Sequence, residues 1–177
     1  MIIAQKENYI LRTWEPADAP SLAKHFNNRK IWDNCRDGLP HPYMPEDAHA
    51  FIRMISQKEG VHDFCIEVEG QAVGNIGFVP GQDVERYNAE VGYALGESYW
   101  NRGILTDALR EAIRHYFATT NVVRLFAGIF EYNAASMRVL EKVGFSKVGV
   151  MHQAVYKNGK FWDGHYYELL KEPICQK

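Results

Sequence analysis

Cysteine is scarce in this chain, with only Cys35, Cys65 and Cys175 among 177 residues. Their odd number, wide spacing and lack of a CxxC pair exclude a disulfide framework and imply a reducing compartment. Charge of one sign is also lacking. A net charge of -2 leaves no electrostatic footprint for nucleic acid or an anionic membrane surface. No apolar run approaches the length of a membrane span. Met1–Glu7 turns polar too soon for a signal peptide, so a cytoplasmic protein is expected. No Pro/Gly/Ser linker, low-complexity tract or solenoid-period repeat interrupts the chain, and one domain over residues 1–177 is the expectation. The seven histidines show neither HxxxH nor HExxH spacing and no neighbouring cysteine pair, so no metal is expected. GxSxG and P-loop patterns are missing as well.

What is present is an ordinary globular composition, 46% hydrophobic and 24% charged, on a chain long enough for a real core. The apolar periodicities predict a strand at Tyr9–Trp14 and a helix carrying Leu22, Ala23 and Phe26, with Asp18 as its N-cap. A Pro- and aromatic-rich loop runs from Trp32 to Tyr43. A second helix starts at Pro45-Glu46-Asp47, where proline and acidic residues suit the first turn. Strands follow at Val61–Val68, Ala72–Val79 and Glu90–Leu95, then a helix at Thr106–Ala118 with one apolar stripe. A strand at Val122–Ile129 leads to a helix at Ala134–Val143, which Gly144 ends in a left-handed cap. Lys147–Tyr156 and Phe161–Leu170 form a hairpin, with Asn158-Gly159 supplying a type I′ turn. The order β-α-α-β-β-β-α-β-α-β-β predicts an α/β fold with a mixed sheet and helices on its faces.

Two stretches carry chemistry. In the first, Trp100-Asn101-Arg102-Gly103-Ile104-Leu105-Thr106 links a strand to a helix through a glycine turn. The first N–H groups of that helix lack intrahelical partners, so the turn suits phosphate oxygens. Arg102 adds a cation, and Gly103 permits close approach. A glycine that merely relieves a tight turn is the competing reading. In the second, Asn133-Ala134-Ala135-Ser136 continues to Leu140-Glu141-Lys142-Val143-Gly144-Phe145. Asn133, Ser136 and Leu140 fall on one helix face, and alone they also read as an N-cap, a surface serine and a core leucine.

Together these stretches resemble the GNAT N-acetyltransferase superfamily, in particular its ribosomal-protein N-acetyltransferase subgroup. The family pattern Arg/Gln-x-x-Gly-x-Gly/Ala falls on Trp100, Gly103 and Leu105, of which only the glycine is kept. Asn133-x-x-Ser136-x-x-x-Leu140-Glu141-Lys142-x-Gly144-Phe145 matches the last motif at every characteristic position. The resemblance implies one GNAT domain with a mostly antiparallel central sheet, and acetyl-CoA as co-substrate without a metal. Cofactor contacts are implied at Tyr93, Ala94 and Leu95, at Asn101, Arg102, Gly103, Ile104, Leu105 and Thr106, and at Asn133 along the pantetheine arm.

The chemistry needs a base to strip an ammonium and a donor for the departing thiolate. The resemblance places Ser136 as that donor. Glu90 stands as base against the equal reading of an exposed strand carboxylate, with Glu131 as the competitor. Trp32, Asp33 and Tyr43 are implied on one wall of the acceptor cleft, and Asp163 on the opposite one. The acceptor is a primary amine, either a protein N-terminus or a small molecule. Neither nucleic acid nor membrane is expected as a partner, and the chain is expected as monomer or homodimer. A domain that binds CoA as a sensor without turnover is the alternative.

Overall fold

In a computed structural model the chain is described over residues 1–171, so Cys175 lies outside the described residues. The chain forms two compact units. One holds Met1–Gly77 and Gly92–Ala112. The other holds Phe78–Val91 and, of the described residues, 113–171. Three elements pass from one to the other, namely β4 (Gln71–Pro80), β5 (Asn88–Leu95) and α4 (Ile104–Thr119).

The first unit is built on antiparallel neighbours β1 (Ile2–Gln5), β2 (Ile10–Thr13), β3 (Asp63–Val68) and the first part of β4. Leu11, Phe64, Ile66, Val73 and Ile76 are fully buried, which fixes the register. The β3–β4 turn is Glu69-Gly70, both at positive φ (51° and 73°), the conformation of a type I′ hairpin. α1 (Ala19–Phe26) and α3 (Pro45–Ser56) bury Leu22, Ala23, Phe26, Ala48 and Ile52 in one cluster with Ile31 and Tyr43. Pro45 opens α3, and Asp47 accepts a hydrogen bond from the Met44 N–H at 2.8 Å.

Two sequence expectations change here. β1 and the four-residue helix α2 (Arg29–Trp32) are additional elements, both too short to show a period. Asp18 is not a capping side chain for α1. A 3-10 turn at Pro16–Asp18 already leads into the helix, and Asp18 accepts instead from the Glu15 N–H and from Arg12.

The second unit places β6 (Arg124–Phe130) parallel to β5 and antiparallel to β8 (Lys160–Leu170), with β7 (Ser146–Lys157) outside β8. A parallel pair requires a long crossover, and α4 supplies it. Phe78 stacks on Tyr116 with ring centroids 4.1 Å apart, and Leu125, Ala127, Leu140 and Tyr167 fill the rest of this core. Asn158 and Gly159, at φ 53° and 76°, close the β7–β8 hairpin as expected. The ladders are mixed and mostly antiparallel with helices beside them, as the element order predicted. Among the described residues, no helix is long and apolar enough to cross a membrane.

Candidate active site

β5 leaves the sheet at Leu95, and the Gly96 N–H donates to the Val73 carbonyl at 2.7 Å. A 3-10 turn at Glu97–Tyr99 follows, and then Asn101 and Gly103 take positive φ values of 60° and 76°. Asparagine tolerates that region, and glycine enters it without a Cβ penalty. α4 starts at Ile104, and Ile104, Ala108 and Leu109 pin it into the core. A Cβ built on Gly103 meets no atom within 4 Å, so space is open above the turn. The N–H groups of the first helical turn have no intrahelical acceptor, and the helix dipole adds positive charge there. The Arg102 guanidinium lies 5.3 Å from the Tyr99 ring centroid, which keeps a cation on the same turn. The turn therefore has the form of an anion cradle.

Trp100 has a role that the motif does not reveal. Its indole N–H donates to the Leu95 carbonyl at 2.7 Å and latches the loop back onto the end of β5.

In the second unit, Asn133 caps α5 (Ala134–Lys142), its Oδ1 accepting from the Ser136 N–H at 3.1 Å. The Asn133 amide nitrogen has no protein hydrogen bond among the described residues. Leu140 is fully buried, Gly144 ends the helix at φ 102°, and the Phe145 N–H returns to the Leu140 carbonyl. Ser136 sits half-buried in the first turn of α5. Glu90 is half-buried on β5, opposite Phe126 of β6.

The carboxylates Asp163 and Glu131 both accept hydrogen bonds. Asp163 accepts from the Gln153 N–H and from His152 Nδ1, both at 2.8 Å. The Gln153 N–H first and His152 second hold its carboxyl below the usual range. Both contacts come from the segment where the β7 register shifts, between Met151 and Val155, so Asp163 ties down that bulge. Glu131 accepts from the Asp163 N–H at 2.6 Å, and its own N–H donates to the Asp163 carbonyl. Both residues thus brace the hairpin.

The first unit contains a cavity of about 180 Å³, lined by Leu22, Phe26, Tyr43, Asn75, Tyr93 and Ala94 among others. Of the three residues expected on the acceptor wall, Tyr43 is there, buried, with its hydroxyl pushed up to about 12 chiefly by desolvation. Trp32 and Asp33 are not among the lining residues. The Trp32 indole donates to the Leu39 carbonyl at 2.9 Å, which stitches the loop together, and Asp33 pairs with Arg29 of α2 at 2.8 Å. Asn75 was not foreseen. Its one signal is an amide in the apolar strand Val73-Gly74-Asn75-Ile76.

Comparison with known proteins agrees with this geometry. The family model described as "Acetyltransferase (GNAT) domain" matches residues 8–146. The uncharacterized N-acetyltransferase YoaA of Bacillus subtilis is 29% identical, over 96% of this chain and 97% of its own length. The [ribosomal protein uS5]-alanine N-acetyltransferase of Escherichia coli is 27% identical, over 90% and 82%. A solved structure of the ribosomal L7/L12 α-N-protein acetyltransferase RimL in complex with coenzyme A superposes with a TM-score of 0.82. It covers 96% of this chain and 98% of that one at 22% identity. The likeness to the ribosomal-protein subgroup read from the motifs is thereby borne out. The chain belongs to the GNAT acetyltransferase family.

Proposed function

We propose that this chain, acting as one domain in the cytoplasm, transfers the acetyl group of acetyl-CoA to a primary amine. The amine is a protein N-terminus or a small molecule, and it attacks directly in a ternary complex without an acyl-enzyme. The observation that carries this reading is the open turn at Gly103 running into α4. The coenzyme A bound in the RimL structure and the relative that acetylates a ribosomal protein support it.

In the proposed reaction the amine nitrogen forms a bond to the thioester carbon and the C–S bond breaks. Glu90 takes a proton from the incoming ammonium, the Ser136 hydroxyl donates one to the departing sulfur, and the second proton lost by the amine nitrogen returns to the Ser136 oxygen. The Arg102–Thr106 turn holds the pyrophosphate, and the Asn133 amide nitrogen donates to the pantetheine arm. Backbone N–H groups at a bulge in the Glu90–Leu95 strand polarise the thioester carbonyl.

Acetyl-CoA at a hundredfold excess over its Kd stabilises a folded partner by about 2.7 kcal/mol, several degrees of Tm for a chain of this size. Gly103→Val fills the space above the turn and strains its backbone, so the shift is expected to vanish while the free protein still melts cooperatively. A variant that shifts like wild type refutes the turn as the cofactor site. Labelled acetyl-CoA incubated with a proteome extract and read by mass spectrometry tests transfer. Binding without any labelled product indicates a sensor.

Glu90→Gln keeps shape but accepts no proton. Its kcat/KM is expected to fall most near neutral pH and to recover in part as pH rises, because free amine then forms unaided. Parallel pH–rate profiles for wild type and variant over the range where the amine titrates remove Glu90 from the role of base. Glu131→Gln is the control, since the Glu131 carboxylate already accepts from the Asp163 N–H.

A further inference from the structure

We infer that the cavity in the first unit is an acceptor subsite for one uncharged apolar side chain of an α-amino carbonyl compound, with Asn75 donating to the carbonyl oxygen. This deepens the proposed acetyl transfer and rests on that reading. The acceptor is therefore the N-terminal residue of a peptide or an amino-acid amide, rather than a polyamine, an aminoglycoside or a free amino acid.

Three observations carry the inference. First, among the described residues, the lining contains no Asp, Glu, Lys, Arg or His. It is Leu22, Phe26, Leu39, Phe51 and Ala94, with Cys35, Tyr43, Tyr93 and Asn75 as the only polar-tipped members. A cationic or polyhydroxylated group entering there would lose its hydration without a charged partner. A free carboxylate meets the same objection.

Second, the size is that of a side chain. A cavity near 180 Å³ falls below the roughly 300–1,000 Å³ of sites that take drug-sized ligands, yet it exceeds the volume of several waters.

Third, the one amide in the wall is oriented. The Trp14 indole N–H donates to Asn75 Oδ1 at 3.0 Å, which turns the donor end, Nδ2, the other way. That Nδ2 has no protein hydrogen bond among the described residues, and it is not a sealed buried atom either. Asn75 is held in place by strand register, its Cα opposite that of Cys65 on β3. A fixed N–H donor in an apolar wall selects a neutral oxygen acceptor, because leaving that oxygen unpaired on binding is costly. Ala94, which lines the cavity, stands on β5 one residue before Leu95, where the chain leaves for the cofactor turn. An amine above this cavity therefore lies beside the strand expected to hold the thioester.

The experiment compares kcat/KM for L-leucinamide, glycinamide, L-lysinamide and L-leucine, alongside the acetyl-CoA thermal shift of the wild-type protein. Leucinamide is expected to exceed glycinamide and lysinamide by about tenfold or more, since each methylene in an apolar pocket is worth about tenfold. L-leucine is expected to be poorer than its amide.

Asn75→Asp keeps the shape and the Trp14 hydrogen bond but removes the donor. It is expected to lower kcat/KM for leucinamide about tenfold, mainly through KM. Leu39→Trp occupies the cavity and is expected to bring the leucinamide to glycinamide ratio close to one. Both variants are read only as cooperatively melting protein, and Asn75→Leu, which also removes the donor, serves as the second variant with the same expected loss if Asn75→Asp does not fold.

A wild-type preference for lysinamide, or a ratio that Leu39→Trp leaves unchanged, overturns the subsite while acetyl transfer stands. Absence of an acetyl-CoA shift in wild type overturns both.

Discussion

Ser136→Ala is expected to lower kcat by about ten- to a thousandfold with little change in the KM for acetyl-CoA, the signature of lost proton donation at the transition state. The substitution keeps the cap of α5. Asn133 caps α5 through the backbone N–H of residue 136, which alanine retains, so the start of the helix survives. Alanine is also a better helix former than serine in a first turn already fixed by its cap. What disappears is one hydroxyl and almost no volume. Ser136→Thr, which restores the hydroxyl, is expected to recover part of the rate. Rapid-quench measurement of the transfer step is the deciding observation. An unchanged rate in a step shown to be chemistry would mean that water protonates the thiolate and that Ser136 serves only α5.

Sequence periodicity was enough to locate most of the fold, but local signals could not say which partners particular side chains choose. The β7–β8 hairpin was legible because Asn158 and Gly159 both suit positive φ, a property of the two residues themselves. The end of α5 at Gly144 was legible for the same reason. Side chains whose partners lie far along the chain were not. Asp18 stands where an N-cap belongs, yet it is captured by Arg12, which also reaches Glu67 across the β2–β3 ladder. Trp32 and Asp33 were placed on the acceptor wall by the family resemblance, which says nothing of the bond from the Trp32 indole to the Leu39 carbonyl or of the pairing of Asp33 with Arg29. Asn75 was hidden for a different reason. Its meaning depends on Trp14, 61 positions away, which holds the amide oxygen and so decides which end of the amide is its free donor.

The Arg12 cluster yields the largest expected effect on stability. The guanidinium donates to both Asp18 oxygens at 2.7 Å, to Glu67 at 2.6 Å and to the Thr13 carbonyl at 3.0 Å. Its side chain is 11% exposed, against 10% for Asp18 and 20% for Glu67. The hydrogen bond to Asp18 is the chief cause that keeps Arg12 charged well beyond its ordinary range. Exposed ion pairs are worth little, but removing one partner from a buried cluster leaves uncompensated charge, at about 3–5 kcal/mol. Arg12→Leu strands two carboxylates, and a loss of about 3 kcal/mol is a large part of the roughly 5–15 kcal/mol that holds a domain folded. Lysine would not rescue it, because a single ammonium cannot reproduce the two-pronged contact with Asp18.

The variant is expected to show a changed pH dependence of a definite sign. Without the cation, two buried carboxylate charges lack a partner of opposite charge, and taking up protons removes those charges. The penalty is therefore present at neutral pH and shrinks on acidification. Arg12→Leu combined with Asp18→Leu is expected to lose less stability than the sum of the two single variants, since it leaves one stranded carboxylate rather than two. Urea unfolding at several pH values measures all of this. A loss below about 1 kcal/mol that does not shrink on acidification would place Arg12 with surface ion pairs. Asp18 would then require another reason for turning away from α1.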